Sequence, residues 1–311
     1  MNAKTGIKAI LLSVLLLPAL AVADYSKTTG SFEETVALDG AVLLDVDTGS
    51  GSIDISAGSG GEASIVGKIK VRRESFWRKN PDAEAIIKQV QDNPPIQLSD
   101  GRLRVGYFKD KSLGKKVSIS YEITVPANTE VVADTGSGSI TVTDIAAPVS
   151  ADTGSGSVKL ENIGGPAKAD TGSGSVKANG VAGSFEADTG SGSVYLMQTA
   201  PGDVEIDTGS GSAELKGVVG ALHVDTGSGR VVVEGRQEGP WKIDTGSGSV
   251  RISLPDDAAF TLDAESSSSS ITVNHPLEVQ GKISKKHIKG DVRGGGPLLK
   301  VDTGSGSIKI D

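Results

Sequence analysis

Apolar and polar residues alternate through the second half of the chain in a pattern that returns every 18 or 19 residues. Ala151, Ala169, Ala187, Ile206, Val224, Ile243 and Val301 each stand just before an aspartate. Two residues earlier come Val149, Ala167, Phe185, Val204, Leu222, Trp241 and Leu299, and the residue between is mostly polar: Ser150, Lys168, Glu186, Glu205, His223, Lys242 and Lys300. This period of two predicts a half-buried strand. A second strand follows, with Val158, Val176, Val194, Val231 and Val250 at its start and Leu160, Leu196, Leu215, Val233 and Ile252 two residues on. A third apolar position comes later, at Ile145, Ile163, Val181 and Val218.

The two strands are joined by Asp-Thr-Gly-Ser-Gly. That motif begins at Asp47, Asp134, Asp152, Asp170, Asp188, Asp207, Asp225, Asp244 and Asp302. One more step of 19 beyond Asp244 reaches Asp263, where DAESSSSS reads as a degenerate copy. Strict alternation cannot pass through Gly-Ser-Gly, because an odd number of steps separates the inward residues on its two sides. The chain must turn there. Gly154, Gly156, Gly172, Gly174, Gly190, Gly192, Gly209, Gly211, Gly246 and Gly248 are therefore expected to form structural corners with positive φ, which glycine adopts at little cost.

A unit of two short strands cannot cover its own apolar face and is stable only against its neighbours. The expected fold is all-β: a β-solenoid of stacked coils, about 4.8 Å apart. A roll of hairpins would place the motif in hairpin loops, but it explains identical corners less well than an in-register stack does. A propeller needs about twice this period.

Residues 57–133 break the rhythm and read as an insertion or cap. Strands are expected at 64–71, 103–107 and 117–125, around a helix at 81–92 with Ala85, Ile86, Ile87 and Val90 on its apolar face. The division expected is 24–56 for the first strands and repeat, 57–133 for the insertion, 134–262 for the regular coils, and 263–311 for the degenerate repeat, a basic segment and the final repeat. Residues 1–23 carry Lys4 and Lys8, an apolar run and Ala21-Val22-Ala23, the pattern of a secretory signal peptide. An exported protein, periplasmic or at the cell surface, is expected.

Composition narrows the function. The formal net charge is −8 and the chain has no cysteine. Acidity disfavours nucleic acid as a partner, and the lack of cysteine excludes disulfides and thiolate metal sites. Asp-Thr-Gly-Ser is also the catalytic motif of aspartic proteases, but that chemistry needs two carboxylates converging on one proton. Nine copies at regular spacing define a row instead, and no catalytic residues are assigned.

Two accounts of the aspartates stand side by side. Each can accept N–H groups from its own glycine corner in an Asx turn, with threonine and serine hydroxyls linking the coils. Alternatively, the column Asp152, Asp170, Asp188, Asp207, Asp225 and Asp244 can bind calcium, a hard cation that takes oxygen ligands. Basic clusters at Lys68, Lys70, Arg72, Arg73, Arg78 and Lys79, and at Lys282, Lys285, Lys286, Lys289 and Arg293, are either solvated faces or contacts to an anionic glycan or membrane. The segment 302–311 stops inside an expected strand. Unless 264–301 folds over it, it offers an edge for self-association.

Tyr121-Glu-Ile-Thr-Val-Pro126 followed by Asp134-Thr-Gly-Ser-Gly-Ser-Ile-Thr-Val142, and Gly290-Asp-Val-Arg-Gly-Gly-Gly296 running into the final repeat, resemble a bacterial family of exported proteins with Gly-Ser-Gly strand repeats. It is a domain of unknown function with a provisional adhesin label. The resemblance implies a stacked β-repeat fold and no catalytic residues. It points to a non-enzymatic binding, adhesive or scaffolding role at the envelope, with a glycan or protein partner. The alternatives are a carbohydrate-active β-helix enzyme or a calcium-stabilised solenoid.

Overall fold

The computed structural model describes residues 28–40, 42–72, 82–279 and 284–311. The expected signal peptide lies outside the described residues, as do Arg73, Arg78, Lys79, Pro81 and Lys282.

Among the described residues two long sheets face each other, one of fourteen strands and one of thirteen. Each regular coil contributes one strand to each. Ala167–Thr171, for example, lies in the larger sheet, the glycine corner follows, and Val176–Ala182 lies in the other. Successive coils pair in parallel and in register, so Asp152 sits beside Asp170 and Val158 beside Val176. We call the larger sheet the aspartate sheet and its partner the valine sheet. The chain is thus the β-solenoid that the alternation predicts, built with two sheets.

The inward residues form one continuous core. Most are Ala, Val, Leu or Ile, and burying each larger aliphatic side chain contributes roughly 1.5–3 kcal/mol. Trp241, Phe185 and Phe260 fill the wider places. The Trp241 indole satisfies its buried N–H by donating to Gly220 O at 2.9 Å, as a buried polar group must.

The corners differ from expectation in one respect. None of the Gly-Ser-Gly glycines has φ in the left-handed range. They are glycines because the coils touch there through backbone. A Cβ on Gly174 would lie 1.9 Å from Gly156 O, and one on Gly211 would lie 1.6 Å from Gly192 O. The first glycine of each motif is only a little freer: a Cβ on Gly172 would stand 2.4 Å from Gly154 O. Positive φ occurs instead at the return corner, where Asp144, Asn162, Gly180 and Gly217 adopt it. Asp and Asn tolerate that conformation better than other side-chain-bearing residues, and Asn162 donates to Asp144 Oδ1 at 2.8 Å across the coils.

Both ends depart from sequence order. At the N-terminal end the first repeat, Leu43–Thr48 and Ile53–Gly58, is flanked by strands of the insertion: Arg102–Val105 on the aspartate sheet and Val117–Pro126 on the valine sheet. Helix α1, Ala83–Asp92, joins the end of the core through Ala83, Ile86, Ile87 and Val90. Its buried stripe follows the i, i+3, i+4, i+7 spacing, so Ala83 takes the buried place expected for Ala85, which is exposed. A second helix, α2, Lys111–Lys116, was not foreseen.

At the other end the final repeat is threaded inward. Leu298–Thr303 lies between Trp241–Thr245 and Phe260–Ser266, and Ile308–Ile310 lies between Val250–Ser253 and Ile271–Val273. The expected self-associating edge at 302–311 is therefore absent, because both flanks of that segment are already paired. The degenerate copy is also shifted. Glu265, not Asp263, stands beside Asp302, and Ser266 stands beside Thr303. The matching stretch is Ala-Glu-Ser-Ser-Ser-Ser-Ser-Ile, two residues later than the step of 19 implies. Its serines replace the corner glycines at the outermost coil, where Ser268 and Ser269 donate to Gly304 O and Ser305 O.

Candidate binding face

Threonine and aspartate divide the work within each motif. The threonine points inward and is buried. Thr153 Oγ1 donates to Gly138 O of the preceding coil at 2.7 Å and accepts from Gly156 N–H at 3.1 Å. Thr171, Thr189, Thr208, Thr226, Thr245 and Thr303 repeat both bonds. The Asx turns expected of the aspartates are not formed. Among the described residues no corner N–H donates to them, because the threonine hydroxyl already occupies that position. The expected link between coils through hydroxyls is present, running to backbone carbonyl rather than to the next hydroxyl.

The aspartates point outward. In-register pairing stacks Asp47, Asp134, Asp152, Asp170, Asp188, Asp207, Asp225, Asp244, Asp302 and Glu265 into one column of carboxylates. At a strand spacing of about 4.8 Å, neighbouring charges repel by roughly 1 kcal/mol each in water. The charges respond. Burial, and then the Asp45 charge, hold Asp47 above the usual carboxylate range. Asp134 is raised by burial and then by Asp152, and Asp207 by burial and then by Asp188 and Asp225. Burial also raises Asp170 against the pull of Lys168, whose ammonium lies 3.5 Å away.

Cations anchor the ends of the neighbouring row. Asp45, in the first coil, accepts from Arg102 at 3.0 Å and from the Tyr107 hydroxyl at 2.7 Å. In the last coil Asp263 meets His287 at 3.0 Å and Lys289 at 3.4 Å. Part of the second basic cluster is thus structural. The row could not be read from the sequence, because its partners come from the insertion and from the C-terminal hairpin.

The column supplies one carboxylate per rung. Calcium takes six to eight oxygens, more than two neighbouring carboxylates provide. Among the described residues no group of three or more His, Asp or Glu side chains is gathered to hold a metal ion.

Beside the column runs an open groove of about 590 Å³ along the aspartate sheet. One wall carries Pro148, Pro166, Ser184, Asp203, Ala221 and Pro240, and the other carries Lys168, Glu186, Glu205, His223 and Lys242. It extends from Glu130 to Lys242, across seven coils, or about 29 Å at the strand spacing. On the opposite sheet Tyr195 lies outward beneath Lys177 and Lys216, at 6.0 and 5.6 Å from its ring. Trp241, by contrast, belongs to the core.

A two-sheet parallel solenoid with a glycine-contact corner and an outward acid column defines a rod-like repeat domain. The chain belongs to the Toastrack DUF4097 family, which matches residues 43–311. No curated protein matches it. Two solved structures are similar. One, provisionally described as a cell adhesion protein from Clostridium sporogenes ATCC 15579, is 16% identical with a TM-score of 0.21, over 91% of this chain and 98% of that one. The other, provisionally described as an adhesin from Bacteroides fragilis NCTC 9343, is 11% identical with a TM-score of 0.38, over 91% of this chain and 97% of that one. No helix among the described residues is long and apolar enough to cross a membrane.

Proposed function

We propose that the rod is an exported, non-catalytic binding protein of the bacterial envelope, and that its groove holds a linear envelope glycan along the axis. The groove is the observation that carries this reading. It is continuous over seven coils and combines a wall of mostly proline and alanine, broken by Ser184 and Asp203, with a wall of charged side chains of both signs. An extended polymer fits such a surface, whereas a compact small molecule would use only a fraction of it. The basic, apolar start of the chain supports export, and the provisional descriptions of the two similar structures agree with an adhesive role.

The enzyme reading would draw on Glu186, Glu205 and His223, which follow one another on adjacent rungs. They stand in an open groove, and general acid–base chemistry gains most from a site that excludes water. The test is retention of the purified protein on immobilised envelope polysaccharide. Ala221→Arg, which fills the groove, should abolish retention while leaving the melting temperature unchanged. Equal retention of the variant would refute the groove. Release of sugar fragments that stops in Glu205→Gln would replace binding with catalysis. Protease treatment of intact cells tests location: loss of the protein, with a periplasmic control intact, places it outside.

A further inference from the structure

The N-terminal end of the rod holds a second cavity, of about 360 Å³, distinct from the groove. It exists because the stack ends unevenly. Arg102–Val105 pairs with the first coil as far as Val105 beside Val46. The chain then leaves the ladder at Gly106, whose φ of +93° turns it away and whose missing Cβ lets it pass against Asp47 O. The first glycine corner is thereby left without a full coil above it. At Gly49 a Cβ would meet only the Arg72 guanidinium, where every later first glycine of a motif meets the backbone of the coil before it.

Four kinds of group line this space. Tyr107 and Phe108 give aromatic surface. Arg72, Lys111 and Lys115 give three cations, none of which has a salt-bridge partner among the described residues. Asp47 gives a carboxylate. Tyr121 gives a phenol that is 1% exposed and whose hydroxyl has no hydrogen-bond partner. A buried hydroxyl left unpaired is costly, and such a group marks a place where a partner is missing. The other phenol on this wall, Tyr107, is satisfied by Asp45, so the unpaired buried hydroxyl here is that of Tyr121.

We propose that this cavity binds a small hydroxylated carboxylate of the sugar-acid class. The ligand carboxylate would meet Arg72, Lys111 and Lys115, which otherwise face one acid among them. Its ring face would lie against Phe108. Its hydroxyls would pair with Tyr121 Oη and Asp47, an acceptor that a ligand with no hydroxyl donor would leave opposed. Hydrogen-bond donors in a half-enclosed, aromatic-walled pocket with a few convergent polar groups are the usual makings of a small-ligand site.

The experiment is calorimetric or NMR titration of the full chain with D-galacturonate, and with neutral D-galactose in parallel. Binding of galacturonate at least about tenfold tighter than galactose is expected, since a hydrogen bond to a charged group contributes at least about that factor. Arg72→Gln, at an exposed position, should weaken galacturonate about tenfold and leave galactose unchanged. Tyr121→Phe should weaken both sugars without lowering the melting temperature, because it removes an unpaired group. No saturable binding of galacturonate, equal affinity for galactose, or unaltered affinity in Arg72→Gln would each overturn the proposal. Loss of groove-dependent retention on polysaccharide has no bearing on it, because the two sites lie on different parts of the rod.

Discussion

Replacing Gly174 by alanine tests the reason for the glycine corner. The new Cβ would fall 1.9 Å from Gly156 O, 2.4 Å from Gly156 C and 2.9 Å from Ser157 N. All three are backbone atoms, so no side chain can swing aside. Relief to a tolerable contact requires the two coils to part locally by about 1 Å, the scale on which packed interiors resist change. That motion breaks the bond from Thr171 Oγ1 to Gly156 O at 2.8 Å and strains the bond from Gly174 N–H to Thr171 Oγ1 at 3.0 Å. One hydrogen bond at about 1 kcal/mol, part of a second, and about 1–3 kcal/mol for the buried hydroxyl that loses its acceptor set the loss. The reduced freedom of the unfolded alanine chain returns less than about 1 kcal/mol. A net destabilisation of about 3 kcal/mol follows. Gly61→Ala is the control, since a Cβ there meets nothing within 4 Å. Urea unfolding followed by far-ultraviolet circular dichroism compares the two. If Gly174→Ala unfolds within about 0.5 kcal/mol of Gly61→Ala, the coils are not held apart by contact at this glycine and the explanation fails.

Three further outcomes follow from the same geometry. Asn162→Ala should lose about 1–2 kcal/mol, because Asn162 has φ of 54° and bonds Asp144, whereas Asn162→Gly should lose less; equal losses would contradict strain at the return corner. Asp188→Asn, in the middle of the acid column between Asp170 and Asp207, should raise the melting temperature, and the gain should shrink in high salt as screening removes the repulsion. Stability should also rise as the pH falls through the raised values of the column toward the ordinary carboxylate range, about 3.9. Asp47, Asp134, Asp170 and Asp207 bind protons more tightly folded than unfolded, so their contribution is full below the ordinary carboxylate range and is lost as the pH climbs through their raised values. Asp110, Asp263 and Asp311 are lowered and act the opposite way, but only below the ordinary range. A melting temperature that falls steadily as the pH is lowered from neutrality to about 4 would count against the column.

The regular coils were legible because each residue's role recurs at a fixed offset. Alternation named the inward positions, and Ala169, Val176 and Ala178 are all buried where the pattern puts them. The corner was located but misexplained. A string of glycines signals either unusual φ or close approach, and only the neighbouring coil distinguishes them. The threonine was underread for a similar reason. It recurs in every Asp-Thr-Gly-Ser-Gly copy, and serine alone replaces it at Ser266, which preserves the hydroxyl bond to Gly306 O. That substitution pattern was the available signal for a buried hydroxyl doing the capping. The two ends were opaque. Pairing of Thr303 with both Thr245 and Ser266 brings together segments far apart in the chain, and nothing periodic announces it. The N-terminal cavity was invisible on the same ground, since Arg72, Tyr107 and Tyr121 meet only through the insertion.

The threading of the final repeat fixes how this rod can grow. Duplicating a middle unit such as 170–187 would add one step of about 4.8 Å to the stack. Appending a unit after Asp311 would add nothing, because Ile308–Ile310 already has a neighbour on each side. Length is therefore gained by inserting a unit within the stack, not by appending one beside that strand. The same arrangement orders assembly in time. The coil at 260–273 reaches its place beside 241–253 only when 298–310 lies between them, so the far end of the rod closes only after residue 310 has emerged.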